Sequence, residues 1–183
     1  DLFDYASPDK KSWNPTEPTW TKTEDISCSG DATLDAVDYH HVSSVSVGLD
    51  GNLLVSSRNL NTIWSLDAKG GGGLRWTLSS LDGLSDFAFE RDLDKFYTPH
   101  SAIELDDGKL LLIDDGSSRP GCFQGSTALC FSRAICYRFD RVRRVVEVVW
   151  QFAFPLQPNA APWRAVMGAD VYNNCGGSVT RLA

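Results

Sequence analysis

The sequence predicts an all-β protein built from four-stranded antiparallel units, and three observations carry that reading. Short runs rich in β-branched and aromatic residues, several alternating apolar with polar positions, recur between Val42 and Phe152. Turns bearing glycine and aspartate separate them, at Leu49-Asp50-Gly51, at glycines 70–73 and at Asp106-Asp107-Gly108. The set of four runs then comes twice in the same order, opened by His41 and by His100, which stand 59 residues apart.

Residues 1–37 are rich in Pro, Ser, Thr, Asp and Trp (SWNPTEPTWTKTED) and hold no sustained period. They predict an extended N-terminal segment, anchored to a core by Trp13 and Trp20. The first unit opens with Asp38-Tyr39-His40-His41 and the alternating run 42–47. After the D-G turn come Leu53-Leu54-Val55 and Ser56-Ser57-Arg58, completing a hairpin. Strands at 62–67 and 74–78 follow, joined by the glycine run. That run has no following helix and no Lys-Ser/Thr, so it reads as a hairpin turn and not as a phosphate cradle. Residues 79–98 read as a polar and aromatic connection. The second unit has strands at 99–103, 109–113, 133–140 and 145–152, and Trp76 and Trp150 fall in the two fourth strands.

A repeat of four antiparallel strands in this size range is the mark of a β-propeller blade. The expected organisation is a partial propeller of two to three blades, at about 38–80 and 99–155, with a third beginning at 165–183 near Met167-Gly168. Matching positions of successive blades converge on a central channel, so a histidine opening each unit would face one axial site. A β-sandwich with coincidental spacing is the alternative, and it would scatter them.

Composition narrows the function. A net charge of −7 and a pI near 4.8 argue against a nucleic-acid partner, which needs a basic face. Arg141, Arg143 and Arg144 cluster where a strand turn is expected and read as a solvated turn. No apolar run approaches the ~20 residues of a membrane helix, and no signal-peptide pattern opens the chain. A chain that starts at Asp1 and stops at Ala183 in mid-pattern is expected to be processed or part of a longer protein. The five cysteines lack zinc spacing. Cys122 and Cys130 flank a Gly/Ser-containing loop that suits a local disulfide in an oxidising compartment, although five reduced thiols remain an equal alternative. Cys136, between Ile135 and Tyr137, reads as a buried thiol, leaving Cys28 and Cys175 unassigned.

Several motifs, in order, resemble those of the bacterial aryl sulfotransferases that work without 3′-phosphoadenylyl sulfate. Asp38-Tyr39-His40-His41-Val42-Ser43-Ser44-Val45 is similar to that family's D-W-x-H-x-N-S-hydrophobic motif, Ser56-Ser57-Arg58 to its S-S-R, and Asn61-Thr62-Ile63-Trp64 to the strand after it. Pro99-His100-Ser101-Ala102 resembles the H-D-A segment, and Leu112-Ile113-Asp114-Asp115-Gly116 the F-D-N-G. Residues 132–140 and Val149-Trp150 resemble the next strand pair, and Met167-Gly168 the M-G that opens the following blade. The similarity spans about residues 37–170.

The resemblance implies a six-bladed propeller with its active site in the central channel. It also implies sulfuryl transfer between phenols through a sulfated histidine, by a ping-pong route with no nucleotide or other cofactor. Carried over by motif, His100 is the nucleophile, and His41 and Arg58 hold the sulfuryl oxygens and assist proton transfer. Ser43 and Arg119 complete the set as candidate substrate contacts; no metal site is expected. Implied partners are a small aryl sulfate and a phenol, with other chains or further blades completing the ring, and the implied location is secreted or periplasmic. The chain departs from the family pattern at Ser43 (asparagine in the motif), Ser101 (aspartate) and Asp115 (asparagine), and the family histidine of an earlier blade is absent.

Each residue also has a plainer reading. His41 and His100 could be hydrogen-bonded structural histidines. Arg58 could brace a strand end through Asp38 or Asp67. His40, pointing opposite to His41 on a strand, is taken as structural. The acidic D-D-G tripeptides at 106–108 and 114–116 are taken as turn chemistry and not as calcium ligands. No G-x-S-x-G elbow accompanies a Ser-His-Asp order, which weighs against a hydrolase. The alternative function is a non-catalytic propeller module for binding or assembly. Convergence of His41, Arg58 and His100 on an open site favours the enzyme; His100 packed among apolar neighbours favours the module.

Overall fold

The computed structural model describes residues 40–122, 131–153 and 177–181. The expected segment 1–37, with its two tryptophans, and the Met167-Gly168 opening of a third unit lie outside the described residues. Within them the fold is all-β. The first sheet is an antiparallel meander of β1 (Val42–Val47), β2 (Leu53–Ser57), β3 (Thr62–Leu66) and β4 (Leu74–Ser79), in that spatial order. A two-residue β5 (Ala88–Phe89) and a short 3₁₀ turn (Asp92–Asp94) lead to β6 (Pro99–Glu104), β7 (Leu110–Asp114), β8 (Arg133–Asp140) and β9 (Val145–Ala153). The second sheet runs β5-β9-β8-β7-β6; its last four strands are another antiparallel meander, and β5 is added parallel to β9. No helix among the described residues is long and apolar enough to cross a membrane.

The turn residues do what their chemistry allows. Gly108 takes a φ of 76° and closes its turn by donating to the Leu105 carbonyl at 2.7 Å. Asp67 Oδ1 accepts from the Lys69 and Gly70 amides, both at 2.9 Å, ordering the start of the glycine run. Asp140 does the same for Val142 and Arg143 at the basic turn.

β5 was not expected from a stretch read as irregular connection. Its cause is aromatic packing around it. The Phe87 ring lies 4.9 Å from Phe139, and Phe89 lies 5.8 Å from both Phe96 and Tyr137, edge to face. These anchors hold the backbone where Ala88 N–H donates to the Arg144 carbonyl at 2.9 Å.

One core joins the two sheets. Leu54, Ile63 and Leu78 from the first meet Leu110, Leu112, Ile135, Tyr137 and Val146 from the second, with Phe87 and Phe96 between them. A smaller cluster, Val55, Leu60 and Trp64, covers the other face of the first sheet. β1 inverts the usual polarity of a half-buried strand: its valines face out (Val45 is 59 % exposed) and its serines face in. The serines are spent on joining the sheets. Ser43 and Ser46 hydroxyls donate to the Pro99 and Ala102 carbonyls of β6, both at 2.6 Å, and Ala102 N–H donates to Ser44 Oγ at 3.2 Å.

The first hairpins of the two meanders, β1–β2 and β6–β7, share one register with a 57-residue offset. Val42 pairs with Ser57 as Pro99 pairs with Asp114, and Asn59 N–H donates to the His40 carbonyl as Gly116 N–H donates to that of Tyr97. This register matches His41 with Thr98, both at positive φ (43° and 51°). It matches Ser43 with His100 and Arg58 with Asp115. The 59-residue spacing of the two histidines is therefore not the structural repeat, and they do not hold matching positions.

Candidate active site

Where β1 meets β6, the ends of β2 and β7 gather an unusual density of buried polar groups. Asn61, at a φ of 48°, accepts on Oδ1 from Thr98 N–H at 2.6 Å and from the Ser118 hydroxyl at 2.8 Å. Ser117 Oγ lies 3.0 Å from Thr98 Oγ1, and the Arg58 guanidinium donates to Ser117 Oγ at 3.4 Å and to Asn59 Oδ1 at 2.9 Å. Arg58 thus reaches from the end of the first sheet onto the loop after β7.

His100 is only 7 % exposed, yet its neighbours are polar. Its Nδ1 lies 3.1 Å from the Thr98 carbonyl oxygen and 3.0 Å from Asp115 Oδ2. The β6 backbone bends at this point: the β6–β7 register shifts between His100 and Ile103, and Ser101 takes a φ of 52°. Asp115 is fully buried, and no donor among the described residues is aligned with either of its oxygens. Nδ1 of His100 thus lies at ion-pair distance from the carboxylate and within hydrogen-bond reach of the Thr98 carbonyl. Burial pushes the Asp115 carboxyl above the usual carboxylate range; contact with His100, and the charge of Arg58, pull it back only in part.

Asp114, one residue earlier, points the other way along the strand and anchors the site from behind. Its Oδ1 accepts from Tyr97 N–H at 2.9 Å, and its Oδ2 from Arg119 at 2.8 Å and Arg133 Nε at 2.7 Å. Gly116 makes the bend after this pair possible: a Cβ there would stand 2.2 Å from the Phe131 carbonyl oxygen.

The sequence-predicted residues divide among these positions. His100 and Arg58 come together around Asp115. Ser43 lies beside them, with its hydroxyl donating to Pro99 next to His100. His41 stands at the exposed entry to β1, its carbonyl accepting from Arg58 N–H at 3.0 Å. His40 points away from it, its ring edge-on to Trp64 at 5.7 Å, in keeping with a structural role. Arg119 is buried, tied to Asp114 and stacked 3.9 Å from the Phe131 ring centre; these contacts make it a brace for the end of β7. Arg58 donates to Asn59 and Ser117, and Asp38, one of its two alternative partners, lies outside the described residues.

Sequence reasoning missed Asp115 and Thr98. Asp115 was absorbed into a D-D-G turn signal. The available clue was two acidic residues directly after an apolar strand, where alternation must send one of them inward. No cluster of three metal-ligating side chains occurs among the described residues. Cys136 is a buried free thiol, and Cys130 lies outside the described residues.

No curated protein matches the sequence. The family model described as Arylsulfotransferase (ASST) matches residues 1–157, a span that takes in both sheets and every residue of the His100 cluster. That family acts on small aryl substrates, and membership supports a sulfotransferase-like function. The chain belongs to the arylsulfotransferase family.

Proposed function

We propose that the chain moves a sulfuryl group from an aryl sulfate to a phenol through a sulfated His100. One observation carries the reading. The Thr98 carbonyl can only accept, so the proton of neutral His100 sits on Nδ1, and Nε2 keeps its lone pair. A buried imidazole with its tautomer held in this way is a ready nucleophile. Nε2 attacks sulfur, the bond from sulfur to the aryl oxygen breaks, and aryloxide departs with the electron pair. The phenol oxygen then attacks sulfur, the nitrogen–sulfur bond breaks, and the imidazole is restored. Arg58 offsets charge on the sulfuryl oxygens, His41 takes the phenol proton at the exposed mouth, and Ser43 keeps the β6 carbonyl beside His100 in place.

The two sheets are read as successive propeller blades, at about 38–80 and 99–155, with a third beginning near 165–183. The 57-residue register, with matched positions at one end of both sheets, supports this. The segment at 177–181 also fits it, since Val179 N–H donates to Ser101 Oγ at 3.2 Å beside the site. A secreted or periplasmic location is part of the reading, supported by the family match.

The test is a transfer assay with 4-nitrophenyl sulfate and a second phenol at varied concentrations. The expected result is release of 4-nitrophenol that depends on the chain, with the parallel double-reciprocal lines of a ping-pong mechanism. No release above the blank from a folded chain would contradict the reading and favour a binding module on the same fold.

A further inference from the structure

We propose that Asp115 is the positioning residue of His100, a buried carboxylate that holds the imidazole and offsets the positive charge it gains when Nε2 forms a bond. The inference rests on the transfer reading above for its catalytic meaning, but its physical content stands on the geometry alone. Asp115 Oδ2 is 3.0 Å from Nδ1, the residue is wholly buried, and neither oxygen has an aligned donor. A buried carboxylate without such donors is costly, and folds retain few of them without a reason. Here the reason is the partner. While His100 is neutral, the carboxylate is poorly compensated. When Nε2 bonds to sulfur or to a proton, the ring becomes cationic and the same carboxylate becomes one half of an ion pair.

The charges around the pair fit this role. Arg58 faces it from the end of β2, and Asp114 adjoins it on β7. Asp114 is itself occupied by Arg119 and Arg133, so it does not compete for the imidazole. Thr98 and Ser117, the other near neighbours, are uncharged. The family's motif has asparagine where Asp115 stands, an acceptor of the same shape without the charge, so this chain has an electrostatic device that the motif alone does not supply.

The test is a titration of the His100 ring by long-range ¹H–¹⁵N NMR on the full chain, in wild type and in Asp115→Asn. The sequence has only three histidines, and the His100 signals are identified by their loss in His100→Ala. Wild type is expected to show the Nδ1–H tautomer, and Asp115→Asn to make the His100 ring harder to protonate, so that its titration moves to lower pH. Asp115→Asn keeps the side-chain shape, so a folding defect is not the expected outcome; thermal unfolding checks this. In a sulfation assay the rising limb of the pH–rate profile should move to lower pH by the same amount, with a lower plateau, because the weaker base is also the weaker nucleophile. A His100 pKa unchanged by Asp115→Asn, or a proton found on Nε2 in the neutral ring, would overturn the proposal. A chain that never becomes sulfated but shows the pKa shift would leave the pair intact and overturn the transfer reading alone.

Discussion

The two sheets carry different chemistry on matching positions. Where the first has Ser43 and Arg58, the second has His100 and Asp115. The hydroxyl of the first pair is used up in holding β6, and its guanidinium projects onto the loop after β7. The imidazole of the second is oriented from behind by a carbonyl and a carboxylate. Repeating one backbone thus sets a cation and a polarised base side by side at the seam. The difference teaches that one hairpin register can bring a guanidinium and an imidazole to the same seam when two positions per hairpin differ.

The largest expected effect lies on the second sheet's pair. His100→Ala should lower transfer by at least about 10³-fold, because a nucleophile has no substitute in a covalent route. Initial-rate measurement with 4-nitrophenyl sulfate checks this, and a loss below tenfold would move the chemistry elsewhere. On the first sheet, Arg58→Ala should lower kcat by about 10²-fold, the usual cost of removing one charge-stabilising group, with a smaller change in KM. Equal losses for Arg58→Ala and Arg58→Lys would mean that guanidinium geometry, and not charge alone, carries the effect.

Two stability predictions follow in size. Trp76 and Trp150 sit in the fourth strands of the two meanders, yet Trp76 packs 5.2 Å from Phe139 and 6.2 Å from Phe87, whereas Trp150 is 52 % exposed. Trp76→Ala should cost about 2–3 kcal/mol by urea unfolding, and Trp150→Ala less than about 1 kcal/mol. Ser43→Ala removes one bond between the sheets and should cost about 1 kcal/mol, with transfer reduced only as far as β6 loosens.

The smallest effect depends on pH. The Asp115 carboxyl is held above its ordinary range by burial first, with His100 and Arg58 opposing. A group whose pKa rises on folding favours the folded state most at pH below its unfolded value, and that contribution is lost as pH climbs through the folded value. Asp115→Asn should therefore be more stable than wild type near pH 7, and the gain should close below about pH 4, the unfolded aspartate range. Urea unfolding at the two pH values decides it; a variant less stable at pH 7 than at pH 4, relative to wild type, contradicts the assignment.

Strands were legible wherever alternation or a β-branched run met a D-G or glycine turn, and 133–140 was read to its ends. β5 was not legible, because two residues cannot show a period and its cause lies in aromatic contacts distant in sequence. The site was half legible. His100 and Arg58 could be named from motif and position. The partner of His100 could not, because an aspartate in a D-D-G tripeptide looks the same whether it caps a turn or points into a seam. The equivalence of His41 and His100 was misjudged for a similar reason. The 59 residues between the histidines look like a repeat, whereas the hairpins match at 57, an offset that only strand pairing reveals.

The central claim is that His100 becomes sulfated, and intact-mass analysis after brief exposure to 4-nitrophenyl sulfate tests it most directly. The account predicts one added sulfuryl group, mapped to the peptide containing His100, absent from His100→Ala and discharged by added phenol. An adduct on another residue, or none on a folded chain, would contradict it.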